Sequence, residues 1–295
     1  MKIKIFQLLM LITSIGCIDM SSIKNKYVEV NYANISDAQK LDVFIPEGSG
    51  PFPAVILIHG GGFKAGDKKA EYSLAKKLVS NGYVAICVNY RLSGEATFPA
   101  AVHDIKAAIR YIRGNAKKYT INPHKIGTWG SSAGGNLSAM MGTSSGNKFI
   151  DGDIGDHQNE STKIQVCVDW FGPIDFTKLV DEAQQLGFKE NFRVALESKY
   201  LGADATNPNN FDLAQMANPT SYIDINDTPF YVQVGDKDPL VPYLQSQNFA
   251  NALRTVLGND KVSFDLIKGG KHGGKKFSNT KNLNKVIAFL DKHLK

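Results

Sequence analysis

The sequence predicts an α/β fold, a mostly parallel central sheet flanked by helices with a small insertion over one edge. Three observations predict it: short continuous apolar runs, segments of helical spacing between them, and the regular alternation of the two. In order, residues 27–32 and 40–45 alternate apolar and polar around Asn34-Ile35-Ser36-Asp37, the pattern of an antiparallel hairpin. After Pro46 the runs turn continuous, at 54–58 (AVILI), 84–88, 126–129, 164–170, 230–234 and 262–267. Strands that bury both faces need such runs, because side chains alternate between two apolar layers. Helical spacing falls at 72–81, 100–118, 137–142, 244–256 and 282–293. Residues 173–227 break the rhythm. They are polar and Asn-rich, and read as a mostly helical, cap-like insertion at the carboxyl edge of the sheet, where ligands bind in open α/β folds.

At 295 residues, 43% hydrophobic and 21% charged, the chain fits one large globular domain over 25–295 and excludes collagen-like, disordered and multi-span membrane classes. The +6 charge comes from lysines and arginines scattered over several elements, without a basic run or aromatic interleaving, so nucleic acid is not an expected partner. Lys2 and Lys4 followed by the apolar 5–15 stretch match a secretory signal over 1–17, too short to span a bilayer, and imply export. Gly16-Cys17 also offers a lipoprotein cleavage site that would leave Cys17 lipid-anchored, although Ser14 is a poor match for it. Cys87 and Cys167 sit in apolar strand runs and read as buried thiols, and no cluster has metal-ligand spacing. Asp151-Gly152-Asp153-Ile154-Gly155-Asp156-His157 lacks the twelfth-position acid of a calcium loop and reads as a solvated turn. No metal or cofactor is expected.

Chemistry concentrates in four places. The run Ile126-Gly127-Thr128-Trp129-Gly130-Ser131-Ser132-Ala133-Gly134-Gly135 leads an apolar strand through Gly-x-Ser-x-Gly into a helix. A serine hydroxyl is a weak nucleophile, so it must be displayed on a tight strand-to-helix turn, and the two glycines permit that turn. His59-Gly60-Gly61-Gly62-Phe63 follows the AVILI strand directly. Acyl transfer develops an oxyanion that needs preorganised N–H donors, for which Gly61, Gly62 and Ala133 are the candidates. Nucleotide-binding spacings are absent from this glycine run.

An acid and then a histidine should follow the serine, each after a late strand. Gly235-Asp236-Lys237-Asp238-Pro239-Leu240 follows the strand at 230–234, and Gly269-Gly270-Lys271-His272-Gly273-Gly274 the strand at 262–267. Asp238 is preferred over Asp236 because the later position projects beyond the strand, whereas Asp236 suits the turn. Of six histidines only His272 fits both order and context: His59 belongs to the glycine loop, His103 and His124 to helix or helix-end settings, His157 to the acidic loop and His293 to the last helix. Phe63 and Leu240 are expected to shape the substrate pocket.

Together with Tyr90-Arg91-Leu92-Ser93, Phe98-Pro99-Ala100-Ala101, Asp104-Ile105-Lys106-Ala107-Ala108, Ile121-Asn122-Pro123 and Val168-Asp169-Trp170-Phe171-Gly172-Pro173, these motifs resemble the carboxylesterases that include bifunctional feruloyl/acetyl-xylan esterases, relatives of hormone-sensitive-lipase-like enzymes. The resemblance implies an α/β-hydrolase fold, Ser132, Asp238 and His272 as the family triad, and Gly61 and Gly62 in its oxyanion loop. The implied substrate is a small or polysaccharide-linked ester with an acetyl, feruloyl or simple alkyl group. Two other classes stay open at this point: an amide-cleaving hydrolase of the same fold, such as a peptidase or arylformamidase, and a non-catalytic binding protein.

Overall fold

The computed structural model describes residues 23–188 and 194–295, so the expected signal segment with Cys17, and part of the 173–227 insertion, lie outside the described residues. Eight strands form one sheet: β1 (Ile23–Asn31), β2 (Lys40–Pro46), β3 (Phe52–Ile58), β4 (Val84–Val88), β5 (Ile121–Ser131), β6 (Val166–Trp170), β7 (Phe230–Gly235) and β8 (Val262–Ile267). Their order is β1-β2-β4-β3-β5-β6-β7-β8. The first two pairings, β1 with β2 and β2 with β4, are antiparallel, and all the others are parallel. The carboxyl ends of β3 to β8 therefore open on one edge of the sheet.

The helices are α1 (Tyr72–Val79), α2 (Ala100–Gly114), α3 (Ala133–Thr143), α4 (Lys148–Asp151), α5 (Leu179–Gln185), α6 (Val194–Leu201), α7 (Phe211–Met216), α8 (Tyr243–Leu257), α9 (Lys275–Ser278) and α10 (Thr280–Leu294). Strand alternation explains why the runs are continuous. Ala54, Ile56 and Ile58 of β3 pack in one apolar layer with residues of α2, α3 and α8, such as Ile105, Leu137 and Phe249. Val55 and Leu57 turn the other way, toward Leu78 of α1 and Leu290 of α10. Both faces of the sheet are thus covered by helices, which buries the inner strands β3, β4, β6 and β7 almost throughout and leaves the edge strands β1 and β8 partly exposed. No helix among the described residues is long and apolar enough to cross a membrane.

The structure corrects several sequence expectations. Helix α2 stops at Gly114 instead of 118, because the Asn115 side chain turns back to donate to the Tyr111 carbonyl at 2.9 Å and contacts His157, whose ring occupies the space beside Gly114. Helix α3 starts at Ala133, four residues early, since Gly134 and Gly135 act there as contact surfaces and not as helix breakers. His124 lies within β5, which begins at Ile121, and not at a helix end. In the acidic loop Asp153 and Asp156 are exposed, but Asp151 is not a solvated turn residue. Its carboxylate meets the fully buried Lys106 ammonium at 2.8 Å and accepts from Thr162 Oγ1 at 2.8 Å and from the Gly146 N–H at 2.9 Å. Among the described residues no group of three or more His, Cys, Asp or Glu is arranged to hold a metal ion. Cys87 and Cys167 are free and buried, and burial pushes both thiols up, away from the reactive thiolate.

Candidate active site

Ser132 stands at the junction of β5 and α3 with φ 55° and ψ −123°, a backbone conformation that costs a non-glycine residue about 1–3 kcal/mol. The surroundings enforce it. Its N–H donates to the Trp170 carbonyl at 2.9 Å, and its carbonyl accepts from the Asn136 N–H at 3.1 Å. The turn is tight enough that a Cβ on Gly130 would stand 1.9 Å from the Gly134 carbonyl oxygen, and one on Gly134 only 2.1 Å from that of Ile58. Only hydrogen fits at either place. The Gly-x-Ser-x-Gly pattern is thus a statement about backbone contact, which leaves the serine side chain projecting from the turn.

Opposite it, His272 reaches out of the loop after β8, with its Nε2 2.8 Å from Ser132 Oγ and its Nδ1 2.8 Å from Asp238 Oδ2. A carboxylate only accepts, so the tautomer that satisfies both contacts carries its hydrogen on Nδ1 and leaves Nε2 to accept the Ser132 O–H. Asp238 is 2% exposed, and its other oxygen accepts the N–H groups of Leu240 at 2.8 Å and Val241 at 3.0 Å. These bonds aim the free oxygen at the imidazole. Asp236, the alternative acid, faces away: its Oδ1 accepts the Gly269 N–H at 2.5 Å and ties the acid loop to the histidine loop.

The glycine loop after β3 lies against the serine turn, close enough that a Cβ on Gly60 would stand 3.1 Å from Ser132 Cβ. Gly61 has φ 123° and closes a turn in which Lys64 and Ala65 donate to its carbonyl, each at 3.1 Å. A side chain there would strike the Ala65 carbonyl at 1.8 Å, so the position demands glycine on two counts. Among the described residues no hydrogen bond takes the Gly61 or Gly62 N–H. The Ala133 N–H belongs to the first turn of α3, where backbone donors have no partner within the helix and the helix dipole favours negative charge.

Phe63 and Leu240, the two expected pocket residues, differ. Phe63 is 1% exposed with φ 58°, its ring stacked on Tyr200 of α6 and edge-on to Phe176, so it faces the insertion and not open solvent. Leu240 is half-buried in the acid loop. The insertion reaches the site through α6, since Leu196 occupies the space beside Gly62.

Sequence reasoning missed residues that hold these parts together. Tyr90 donates its hydroxyl to the His59 carbonyl at 2.9 Å and stacks on the His59 ring at 4.5 Å, bracing the start of the glycine loop. Arg91 follows, bonded through Nη2 to Asp104 at 2.9 Å, while Gln39 donates to the same carboxylate at 2.7 Å. Trp170 supplies the carbonyl that holds the serine turn, and its indole N–H donates to Gln233 at 2.6 Å. Tyr90, Arg91, Asp104 and Trp170 belong to the shared motifs, whereas Gln39 and Gln233 do not, and periodicity assigns none of them a role.

The BD-FAE family model matches residues 41–253. Esterase LipQ of Mycobacterium tuberculosis is 30% identical over 222 residues, which cover 75% of this chain and 50% of that protein. The chain spans about half the length of the curated relatives it matches. Among solved structures, a bifunctional GH43-CE protein of Bacteroides eggerthii superposes with a TM-score of 0.83 at 33% identity, covering 92% of this chain and 35% of that one. A truncated form of a carbohydrate esterase from gut microbiota gives a TM-score of 0.82 at 30% identity, covering 92% of this chain and 97% of the other. With the family model spanning most of the sheet and both solved relatives covering nearly all of the chain, the chain belongs to the BD-FAE family and has the α/β-hydrolase fold.

Proposed function

We propose that this chain is a serine carboxylesterase that cleaves carboxylic esters through an acyl-enzyme, and that its natural esters are acetyl or feruloyl groups on plant polysaccharide. The observation that carries the reading is the continuous relay from Ser132 Oγ through His272 to Asp238, with both contacts at 2.8 Å. In this reading His272 Nε2 takes the hydroxyl proton as Oγ attacks the ester carbonyl, and Asp238 holds the tautomer and stabilises the imidazolium. The N–H groups of Gly61, Gly62 and Ala133 receive the oxyanion, and His272 then protonates the leaving alcohol. Water, activated by the same imidazole, attacks the acyl-serine and releases the acid. No step requires a cofactor. Support for the polysaccharide ester comes from the two solved relatives that carry a carbohydrate-esterase name.

The test is release of ferulate and acetate from feruloylated and acetylated xylan, with p-nitrophenyl acetate as a control and Ser132→Ala alongside. The variant should fold normally and lose on the order of a million-fold in turnover, as when the nucleophile of a serine hydrolase is removed. A loss below tenfold overturns the nucleophile. Activity on p-nitrophenyl acetate with none on xylan would overturn the polysaccharide ester and leave a small-ester carboxylesterase. The proposal includes export directed by the N-terminal segment, with the chain either released or anchored through a lipid on Cys17; cell fractionation of the full chain and of Cys17→Ser distinguishes the two.

A further inference from the structure

Phe171, directly after β6, has φ 45°, a left-handed conformation that costs a bulky residue about 1–2 kcal/mol and persists only where its surroundings impose it. Its N–H donates to the Gln233 carbonyl at 2.7 Å, and the carbonyl of the preceding Trp170 accepts the Ser132 N–H at 2.9 Å. One short stretch of backbone therefore spans from β7 to the serine turn. The left-handed twist sends the Phe171 ring toward the histidine loop. There the ring lies 4.7 Å from the His272 imidazole at an interplanar angle of 61°, with Phe277 packed 4.7 Å behind it at 78°. A Cβ on Gly273 would stand 3.3 Å from the tip of the same ring, so the loop just after the imidazole also lies against Phe171.

We infer that Phe171 is a positioning residue for His272: its strained backbone couples the serine turn to a ring that fixes the plane of the imidazole. The inference rests on the esterase reading above. The start of the histidine loop is anchored, by the Gly269 N–H on Asp236 and by the Lys237 N–H on the Gly270 carbonyl at 2.9 Å, but these bonds do not reach the imidazole. Gly273 and Gly274 follow His272 with φ 84° and 83°, positions that glycine adopts freely, and the imidazole itself is bonded only at its edge, to Asp238 through Nδ1 and to Ser132 through Nε2. Two bonds at the ring edge leave the imidazole able to tilt about the line between them, which would spoil the alignment of Nε2 with Ser132 Oγ. The Phe171 ring, packed against the imidazole at 4.7 Å, opposes that tilt. Misplacement of a reacting group by about 1 Å can cost a hundredfold in rate, so the ring acts on turnover without touching substrate.

The experiment compares Phe171→Ala, Phe171→Gly, Phe171→Leu and Phe171→Tyr on p-nitrophenyl acetate, with kcat and KM resolved and thermal unfolding followed in parallel. Alanine and glycine should lower kcat about ten- to a hundredfold with KM changed less than threefold. Leucine should cost at least threefold in kcat, and tyrosine, which keeps the ring, should retain wild-type turnover. Glycine is the decisive substitution. It adopts φ 45° without strain, so if Phe171 served only to shape the end of β6, Phe171→Gly would fold and keep its activity. A folded variant lacking the ring, with kcat within twofold of wild type, overturns the inference. Should alanine and glycine fail to fold, Phe171→Leu, which fills most of the same volume, decides by the same criterion. An inactive wild-type chain would instead sink the esterase reading, whereas failure of the positioning role appears as an active wild type matched by active variants.

Discussion

Tyr200 lies flat on Phe63, with ring centroids 3.8 Å apart and planes 13° from parallel, so a helix of the insertion is stacked on a residue of the glycine loop. Phe63 has φ 58° and needs external support to hold that conformation. Tyr200 is in turn fixed by edge-on contacts with Phe98 and Phe176 and by its carbonyl, which accepts the Phe98 N–H at 2.7 Å. The shape of the loop that carries the Gly61 and Gly62 N–H groups is therefore set partly from the insertion.

Two substitutions separate the ring of Tyr200 from its hydroxyl, which is buried and has no hydrogen-bond partner among the described residues. Tyr200→Phe keeps the stack and removes an unsatisfied polar group, so activity should be unchanged and stability equal or higher by up to about 1–2 kcal/mol. Tyr200→Ala removes the brace and should lower kcat by more than tenfold, short of the hundred- to thousandfold cost of losing an oxyanion donor outright. Steady-state kinetics and thermal unfolding of both variants check this. Equal kcat in the two would separate the insertion from the glycine loop.

Asp238 and Asp236 stand two residues apart and carry different duties, which kinetics can resolve. Asp238→Asn leaves the fold intact but replaces a pure acceptor with a group that can donate to Nδ1, favouring the tautomer in which Nε2 cannot accept the serine proton. The expected loss in kcat is about ten-thousandfold. Asp236→Asn weakens a turn bond to Gly269 and should cost about 1 kcal/mol of stability with kcat within a few-fold. Reversal of the two outcomes would move the acid to Asp236.

The difference between these aspartates shows what was legible in the sequence. The strands could be read because residues such as Val55 and Ile56 face opposite apolar layers, which forces a continuous run. Ser132, Asp238 and His272 could be placed because each occupies a loop that follows a strand, and chain order fixed their succession. What could not be read depends on contacts between distant positions. Phe171 meets His272 across about a hundred residues, and Tyr200 meets Phe63 across more. No local periodicity encodes either pairing. Gly134 and Gly135 hid the start of α3 for the related reason that propensity counts glycine as a breaker while close packing against Ile58 and Asp169 requires it. The helices of the insertion could not be bounded because α5, α6 and α7 run only 7, 8 and 6 residues, too short for a clear helical period.

Asp169 provides a test in stability and not in rate. It sits in β6 beneath the serine turn, fully buried, with Oδ1 accepting the Gly172 N–H at 2.9 Å and Oδ2 lacking any hydrogen-bond partner among the described residues. Burial raises its pKa from 3.8 to about 7, against the smaller lowering effect of the Gly172 bond. Because the folded value lies above the unfolded one, the folded chain keeps this proton through a range in which the unfolded chain has already lost it. Stability is then greatest below about pH 4 with respect to this group, and declines as pH rises to about 7, where the buried carboxylate finally ionises. At about 1.4 kcal/mol per unit, the loss at full ionisation is on the order of a few kcal/mol. Asp169→Asn stays neutral at every pH and can keep the Gly172 bond through its amide oxygen. Its gain over wild type should be near zero at pH 4 and reach its maximum above pH 7, seen as a rise in unfolding temperature at pH 8 that shrinks at pH 5. A gain independent of pH would mean that Asp169 is already ionised throughout this range, and that an unseen partner supports its charge beneath Ser132.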